Sequence, residues 1–351
     1  MSSPYRGLPA DRFWKTGVTQ QDPNTISNLY TKRFDIRRSD RIATAGSCFA
    51  QHIGRHLRRH GFAVIDSEPA ARKLSQATAQ KYGYGLYSAR YGNIYTARQL
   101  HQLACEAYGT FAPANPVWTR GERFFDALRP SVEPEGLSAA VHVLRHRERH
   151  LQKVRYVFES ANVFVFTFGL TESWIDRQSG TVYPTAPGTI AGTFDPNVYA
   201  FKNFSCEDVL ADFIAFRELL KVRNPSLKFL LTVSPVPLVA TASREHVLVA
   251  TTYSKSVLRA VAGQLFQMFD DVDYFPSYEL IASPFSKAAF FEKDLRSVSN
   301  EGVDLVMRHF VNAHGVGRAP VAGRPAGEPE DEPHSDEDVV CEDVLLESFA
   351  E

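Results

Sequence analysis

The stretch Arg41 to Leu57, RIATAGSCFAQHIGRHL, narrows the folds open to this chain more than any other. Ile42-Ala43-Thr44-Ala45 is a short apolar run that reads as a buried strand. Gly46 breaks it, and a helical pattern starts at Phe49, with Phe49, Ile53 and Leu57 recurring every four residues on one face. Gly61-Phe62-Ala63-Val64-Ile65 then reads as a second strand. Strand, helix, strand is the opening of a parallel α/β sheet. Ser47 falls on the strand-to-helix turn, which points a hydroxyl out of the end of the sheet beside N–H groups with no intrahelical partner. Those groups and the helix dipole favour negative charge, such as a tetrahedral oxyanion. A serine in this place also reads as a plain helix N-cap, and the turn alone leaves both readings open.

The rest of the chain continues the alternation. Residues 82–95 hold Gly83, Gly85 and Gly92 among tyrosines, the composition of a folded loop with close backbone approach, and Thr96 is placed to cap the helix after it. Residues 137–160 read as a helix with a basic outer face. Asn162 to Phe168 is the clearest buried strand, β-branched and aromatic with no charge. It ends in the polar cluster Gly169-Leu170-Thr171-Glu172-Ser173-Trp174, at the end of a parallel strand where open α/β sheets bind ligands. Residues 176–204 are rich in Gly, Pro and aromatics and read as a long loop walling a substrate site. Cys206 to Arg223 is an amphipathic helix, Leu227 to Val233 a strand stopped by Ser234-Pro235-Val236-Pro237, Ser254 to Phe269 a helix, Val272 to Phe275 a last strand and Asn300 to His314 a final helix. The pattern predicts a doubly wound, flavodoxin-like three-layer α/β/α sandwich over residues 41–314, with an N-terminal extension at 1–40. From Gly315 to Glu351 the acidic, Gly/Pro-rich composition predicts a disordered tail, closed by Val344-Leu345-Leu346 and Phe349 as a candidate docking segment for a partner.

A formal net charge of -1 gives no global basic field for nucleic acid, and the basic runs Arg55 to His60 and Arg145 to His150 read as solvated helix faces. Cys48, Cys105, Cys206 and Cys341 show no metal-ligand spacing and no disulfide framework. Met1 to Arg6 leads into no apolar leader, and no apolar run approaches the ~20 residues of a membrane span. The expectation is a cytoplasmic chain with reduced thiols and no metal or nucleotide cofactor.

Gly46-Ser47-Cys48-Phe49-Ala50 also spells the signature of the GSCFA-domain family of bacterial proteins, which the chain resembles. The resemblance extends to Tyr91-Gly92-Asn93-Ile94-Tyr95, Phe124 to Pro130, Gly169 to Trp174, Ser234 to Pro237 and Tyr274 to Glu279, most of the chain. That family is similar to the SGNH/GDSL esterases and acyltransferases, which implies the same sandwich fold and a serine nucleophile at Ser47. It further implies an oxyanion hole from the N–H groups of Ser47 and Gly92, with Asn93 beside them. The superfamily's third block is Gly-x-Asn-Asp; this chain has Gly169-Leu170-Thr171-Glu172, so Thr171 stands where the asparagine donor would be. The superfamily's Asp-x-x-His becomes Asp294-Leu295-Arg296-Ser297, with serine in place of the base.

A serine hydroxyl needs a base and the base an orienting carboxylate. His246, in the connection after a strand carboxyl end, is the candidate base, with Glu172 or Asp294 to orient it. His52 lies more than a helical turn past Ser47, and His309 and His314 fall on the last helix. The expected function is a serine esterase or O-acyltransferase acting on a small-molecule or carbohydrate acyl or acetyl ester. The alternative is a catalytically silent carbohydrate- or partner-binding module on the same fold.

Overall fold

A computed structural model of the chain describes residues 3–315 and 342–349. Strand β1 (Ile42–Gly46) turns through Ser47 and Cys48 into α1 (Phe49–Arg59). After α2 (Gln76–Lys81) and α3 (Ala97–Ala107) come the hairpin β2 (Val117–Arg120) and β3 (Arg123–Asp126), then α4 (Ala140–Ser160). Strand β4 (Val163–Phe168) is followed by β5 (Glu172–Asp176), β6 (Val182–Tyr183) and β7 (Tyr199–Asn203). The order closes with α5 (Cys206–Arg223), β8 (Lys228–Val233), α6 (Val247–Met268), β9 (Val272–Tyr274), α7 (Ser277–Ala282) and α8 (Asn300–His314).

The central sheet is parallel throughout, in the order β1-β4-β8-β9. The strand expected at 61–65 is reduced to one parallel bridge from Val64 to Ile42, on the opposite side of β1 from β4. The reason lies in the backbone donors: Phe62 N–H goes back to the Leu57 carbonyl and Val64 N–H to that of Phe62, leaving only Ala63 O and Ile65 N to pair with Ile42. The chain therefore steps first to one side of β1 and then to the other. A reversal of this kind opens a crevice at the carboxyl ends of the strands, here where β1 and β4 end.

Strands apolar on both faces must be covered on both. Ala43, Ala45, Phe164, Phe166, Phe168, Phe229 and Leu231 pack with α3, α4, α5 and α6. Ile42, Val163, Val165 and Leu230 point the other way, into a cluster with α1, α7 and α8. The protein is thus a mixed α/β structure with its sheet buried between two sets of helices.

Four regions depart from the sequence reading. Residues 176–204 are not one loop: they carry β6 and β7, which flank β5 in an antiparallel sheet where Trp174 pairs with both Tyr183 and Phe201. The Arg145 to His150 run is not simply a solvated face, since Arg147 and His150 are buried. Helix α6 starts at Val247, ahead of the expected Ser254, because the His246 imidazole Nδ1 caps it by accepting the Leu248 N–H at 3.1 Å. Finally, residues 1–40 are more than an extension. Ile26 and Ile36 enter the second core cluster, and one Arg33 guanidinium nitrogen donates to the carbonyls of Phe266 and Phe269, both at 2.6 Å, closing the end of α6. The predicted acidic tail lies for the most part, at 316–341, outside the described residues; Glu342–Phe349 forms a short 3₁₀ helix.

Among the described residues no helix is long and apolar enough to cross a membrane, and no group of His, Cys, Asp or Glu is arranged to hold a metal ion.

Candidate functional site

The candidate site begins where β1 and β4 end. Gly46 has φ +142°, and a Cβ there would stand 2.5 Å from the Thr167 carbonyl oxygen, so only glycine lets the two strand ends approach this closely. Ser47 follows, 3% exposed, its N–H directed to the Thr167 carbonyl at 3.3 Å. That contact occupies the Ser47 N–H, a donor expected for the oxyanion hole. Among the described residues the Ser47 hydroxyl has no hydrogen-bond partner. It does not cap α1, whose N-cap position is Cys48 with no side-chain cap, so the plain capping role is not the one this serine fills.

Gly169 leaves β4 directly against the serine. A Cβ on Gly169 would lie 2.7 Å from Ser47 Cβ and 3.4 Å from Ser47 Oγ. The turn is pinned from two directions. The N–H groups of Gly169 and Leu170 both donate to the Tyr95 carbonyl, at 3.2 and 3.0 Å. From α6, the buried Lys255 ammonium donates to the Gly169 carbonyl at 2.7 Å, and the Ser254 hydroxyl accepts the Thr171 N–H at 3.0 Å. The sequence reading missed both α6 residues. Ser254 left a signal: Ala250, Ser254, Leu258 and Val261 share one helical face, so it is a polar residue set into an apolar stripe. Thr171 itself is buried, and its hydroxyl, like that of Thr167, has no partner.

The glycine- and tyrosine-rich loop supplies the third wall. Ile94 N–H donates to the Gly46 carbonyl at 2.9 Å, which brings Gly92 and Asn93 alongside the serine turn. Gly92 turns the chain at φ +69°, and its N–H enters no backbone hydrogen bond among the described residues. Asn93 is buried, and its Oδ1 accepts from Gln51 Nε2 at 3.2 Å and from the Tyr87 hydroxyl. Two donors on one end of the amide identify the other end as the NH2 donor. The Tyr87 hydroxyl also lies 3.1 Å from the Ser47 carbonyl, tying loop and turn together.

The residues expected to activate the serine lie elsewhere. No hydrogen bond joins the Ser47 hydroxyl to His246, Glu172 or Asp294. His246 is exposed at the start of α6. The Glu172 carboxylate accepts from the Thr241 hydroxyl at 2.7 Å, which fastens it to the connection between β8 and α6 and not to a histidine ring. Burial pushes the Glu172 carboxyl up, against the opposing pull of Thr241. Asp294 closes a turn on itself, accepting the Ser297 hydroxyl at 2.7 Å and the N–H groups of Arg296 and Ser297, both at 2.9 Å. Burial raises its carboxyl, but these donors outweigh it and hold the group below its ordinary range. Ser297 thus satisfies the carboxylate that would otherwise orient a histidine at this place.

One residue beyond Gly169 a cleft of about 600 Å³ opens, lined by Leu170, Glu172, Trp174, Phe194, Phe201 and Leu238, among others. In its aromatic wall Trp174 meets Phe194 and Phe201 edge-on, at centroid distances of 5.1 and 5.9 Å.

The serine turn thus sits at the strand ends of a parallel α/β sheet, with Gly46 before it and Gly169 against it. The chain belongs to the GSCFA family, whose model matches residues 41–310. A comparison with curated proteins matched none.

Proposed function

We propose that the chain is a serine esterase or O-acyltransferase of the SGNH type, acting on an acyl or acetyl ester through Ser47. The observation that carries this reading is the Ser47 hydroxyl: buried and unpartnered at the crossover of the sheet, in contact range of Gly169 and beside the loop bearing Gly92 and Asn93. A buried hydroxyl without a partner is unfavourable by about 1–3 kcal/mol, which a bound carbonyl or an ordered water at the strand ends would relieve. The strand order β1-β4-β8-β9 with Val64 outside β1, and helices on both faces, supports the flavodoxin-like three-layer sandwich of that superfamily.

In this reading Ser47 Oγ attacks the acyl carbonyl carbon as its proton passes to a base. The carbonyl oxygen becomes an oxyanion held by the Gly92 N–H and the Asn93 NH2 group, with the Thr171 hydroxyl as third donor. Collapse expels the alcohol, which takes up the proton and leaves an acyl group on Ser47. Water or an acceptor hydroxyl, a carbohydrate among the candidates, then releases it. His246, at the start of α6, is the proposed base, and Glu172 anchors the connection that leads to it through Thr241. Asp294, satisfied by Ser297, is left without a partner to orient.

One observation favours the second reading, a catalytically silent carbohydrate- or partner-binding module: among the described residues no histidine is hydrogen-bonded to Ser47. Fluorophosphonate labelling with mass-spectrometric mapping separates the two. Labelling at Ser47 that is lost in Ser47→Ala and falls at least tenfold in His246→Ala supports the enzyme with its base. Labelling indifferent to His246→Ala removes that base, and folded wild-type protein that takes no label removes the enzyme reading.

A further inference from the structure

The apolar cleft beyond Gly169 already has an occupant. Leu346 and Phe349, from the carboxyl-terminal segment Glu342–Phe349, line the cleft walled by Trp174, Phe194, Phe201 and Leu238. Residues three apart eclipse one another on a 3₁₀ helix, so Leu346 and Phe349 share one side, and that side meets the cleft. Runs of 3₁₀ helix beyond three or four residues are uncommon on their own account, and this one continues from Glu342 to Phe349. Beside the backbone bonds of the helix itself, the Ser348 hydroxyl donates to the Leu345 carbonyl at 2.7 Å. The contact with the cleft is shallow. Leu346 is half-buried and Phe349 stays 66% exposed, whereas the core side chains are fully covered. A segment held this way is removable without disturbing the fold.

The geometry points to a docking groove for the chain's own carboxyl-terminal segment, with Leu346 and Phe349 as its anchors and the segment as a reversible cover over the cleft next to Glu172. This goes beyond the proposed function and does not depend on it: the groove takes a short apolar helical peptide whether or not Ser47 is a nucleophile. Because the segment is tethered, its effective concentration at the groove is of millimolar order, and the same peptide added free competes poorly with it.

The test uses the full-length chain and a fluorescein-labelled peptide of residues 342–349. In a Leu346→Asp, Phe349→Asp double variant the groove is vacated, and the labelled peptide binds saturably, at least tenfold tighter than to the wild-type chain. Trp174→Ala or Phe201→Ala, added to the double variant and checked for an unchanged circular dichroism spectrum, abolishes that binding. Equal binding to wild type and double variant, or no binding to the folded double variant, overturns the inference. A difference between them that vanishes on dilution also overturns it, since the occupant would then come from a second copy of the chain.

Discussion

At the ends of β1 and β4 the spacing of two backbones is set by side chains that are missing. Gly46 and Gly169 are both required, for different reasons. Gly46 combines φ +142° with backbone atoms within 2.8 Å of a would-be Cβ, so an alanine there meets strain and collision together. Gly169 has no unusual φ, and its would-be Cβ meets Ser47 Cβ at 2.7 Å and the Tyr95 carbonyl oxygen at 3.2 Å. Neither neighbour is the end of a flexible side chain, so Gly169→Ala must push the serine turn itself. The expected cost is about 1–3 kcal/mol, the usual range for overpacking, read as a lowered urea midpoint. The specific check is a double-mutant cycle. In a Ser47→Gly background the colliding Cβ is gone, and the Gly169→Ala penalty should shrink markedly. A penalty unchanged by Ser47→Gly would mean that the glycine serves the Tyr95 contact and not the serine.

The elements around the site are tied by a buried ionic network that no local motif announces. From α4, Arg147 bridges the Asp126 carboxylate at the end of β3 (3.0 and 3.1 Å) to Glu106 in α3 (2.6 Å). Arg129 reaches Asp126 at 2.7 Å and the Arg90 carbonyl at 2.9 Å, and the Arg90 N–H donates to Glu68 at 2.7 Å. The network thereby joins the glycine- and tyrosine-rich loop to the hairpin and to two helices. Removing one member of a buried pair leaves the other charge uncompensated, which costs about 3–5 kcal/mol. Arg147→Met should lower stability by that order, while Lys81→Met, which breaks the exposed Lys81–Glu135 pair, should change it by less than about 1 kcal/mol. Equal effects in urea unfolding would show that the Arg147 network contributes no more than a surface pair. Counting charges in Arg145 to His150 suggested a solvated face, but the spacing held the contrary signal. Val143, Arg147, His150, Val154 and Val157 recur at three and four, so Arg147 and His150 lie in the apolar stripe of α4. By contrast α5 and α8 were legible to the residue, Cys206–Arg223 and Asn300–His314, because an unbroken periodicity and a serine cap mark each. In the site, the glycine turns and Ser47 could be read from sequence. Ser254 stands out as a polar residue in an apolar stripe, but what it and Lys255 bind could not be read, since their contacts cross a separation of more than eighty residues that no local pattern encodes.

Across the whole molecule, the contacts that close the fold meet at buried histidines, and these set its response to acid. His314, at the end of α8, accepts the Ile36 N–H on Nδ1 at 3.3 Å, which places its proton on Nε2, 3.0 Å from the Tyr30 hydroxyl. Tyr30 in turn donates to Asp273 at 2.8 Å, so the amino-terminal segment, β9 and α8 share one chain of hydrogen bonds. Burial, with a smaller push from Lys32, brings the His314 pKa down to about 4. His150 is pushed to about 4 by burial and then Arg129, although it stands 2.7 Å from Glu68. It is therefore the neutral ring donating to the ionised Glu68, which is held at about 2 because His150 and its other partners outweigh burial. His52 and His56 on α1 are lowered too, to about 3 and about 4, chiefly by burial. The sign follows from linkage: an unfolded chain protonates these rings near the ordinary value of about 6.5, and the folded one does not until about 4 or below. Between those limits the unfolded state binds more protons, so stability present above pH 6.5 is lost as the pH falls, by up to about 1.4 kcal/mol per pH unit for each ring. Burial raises the carboxyls of Asp66, Glu172, Asp212 and Asp273, which opposes the trend from below. The histidine effect should therefore be cleanest at the upper end. Urea unfolding should show a midpoint that declines from about pH 6.5 to 5.5. His314→Asn, which keeps an acceptor for the Ile36 N–H but cannot titrate, should flatten part of that decline. A wild-type midpoint level across this interval would mean that the rings are solvated in the folded chain, and the hydrogen-bond chain from Tyr30 through His314 would fall with it.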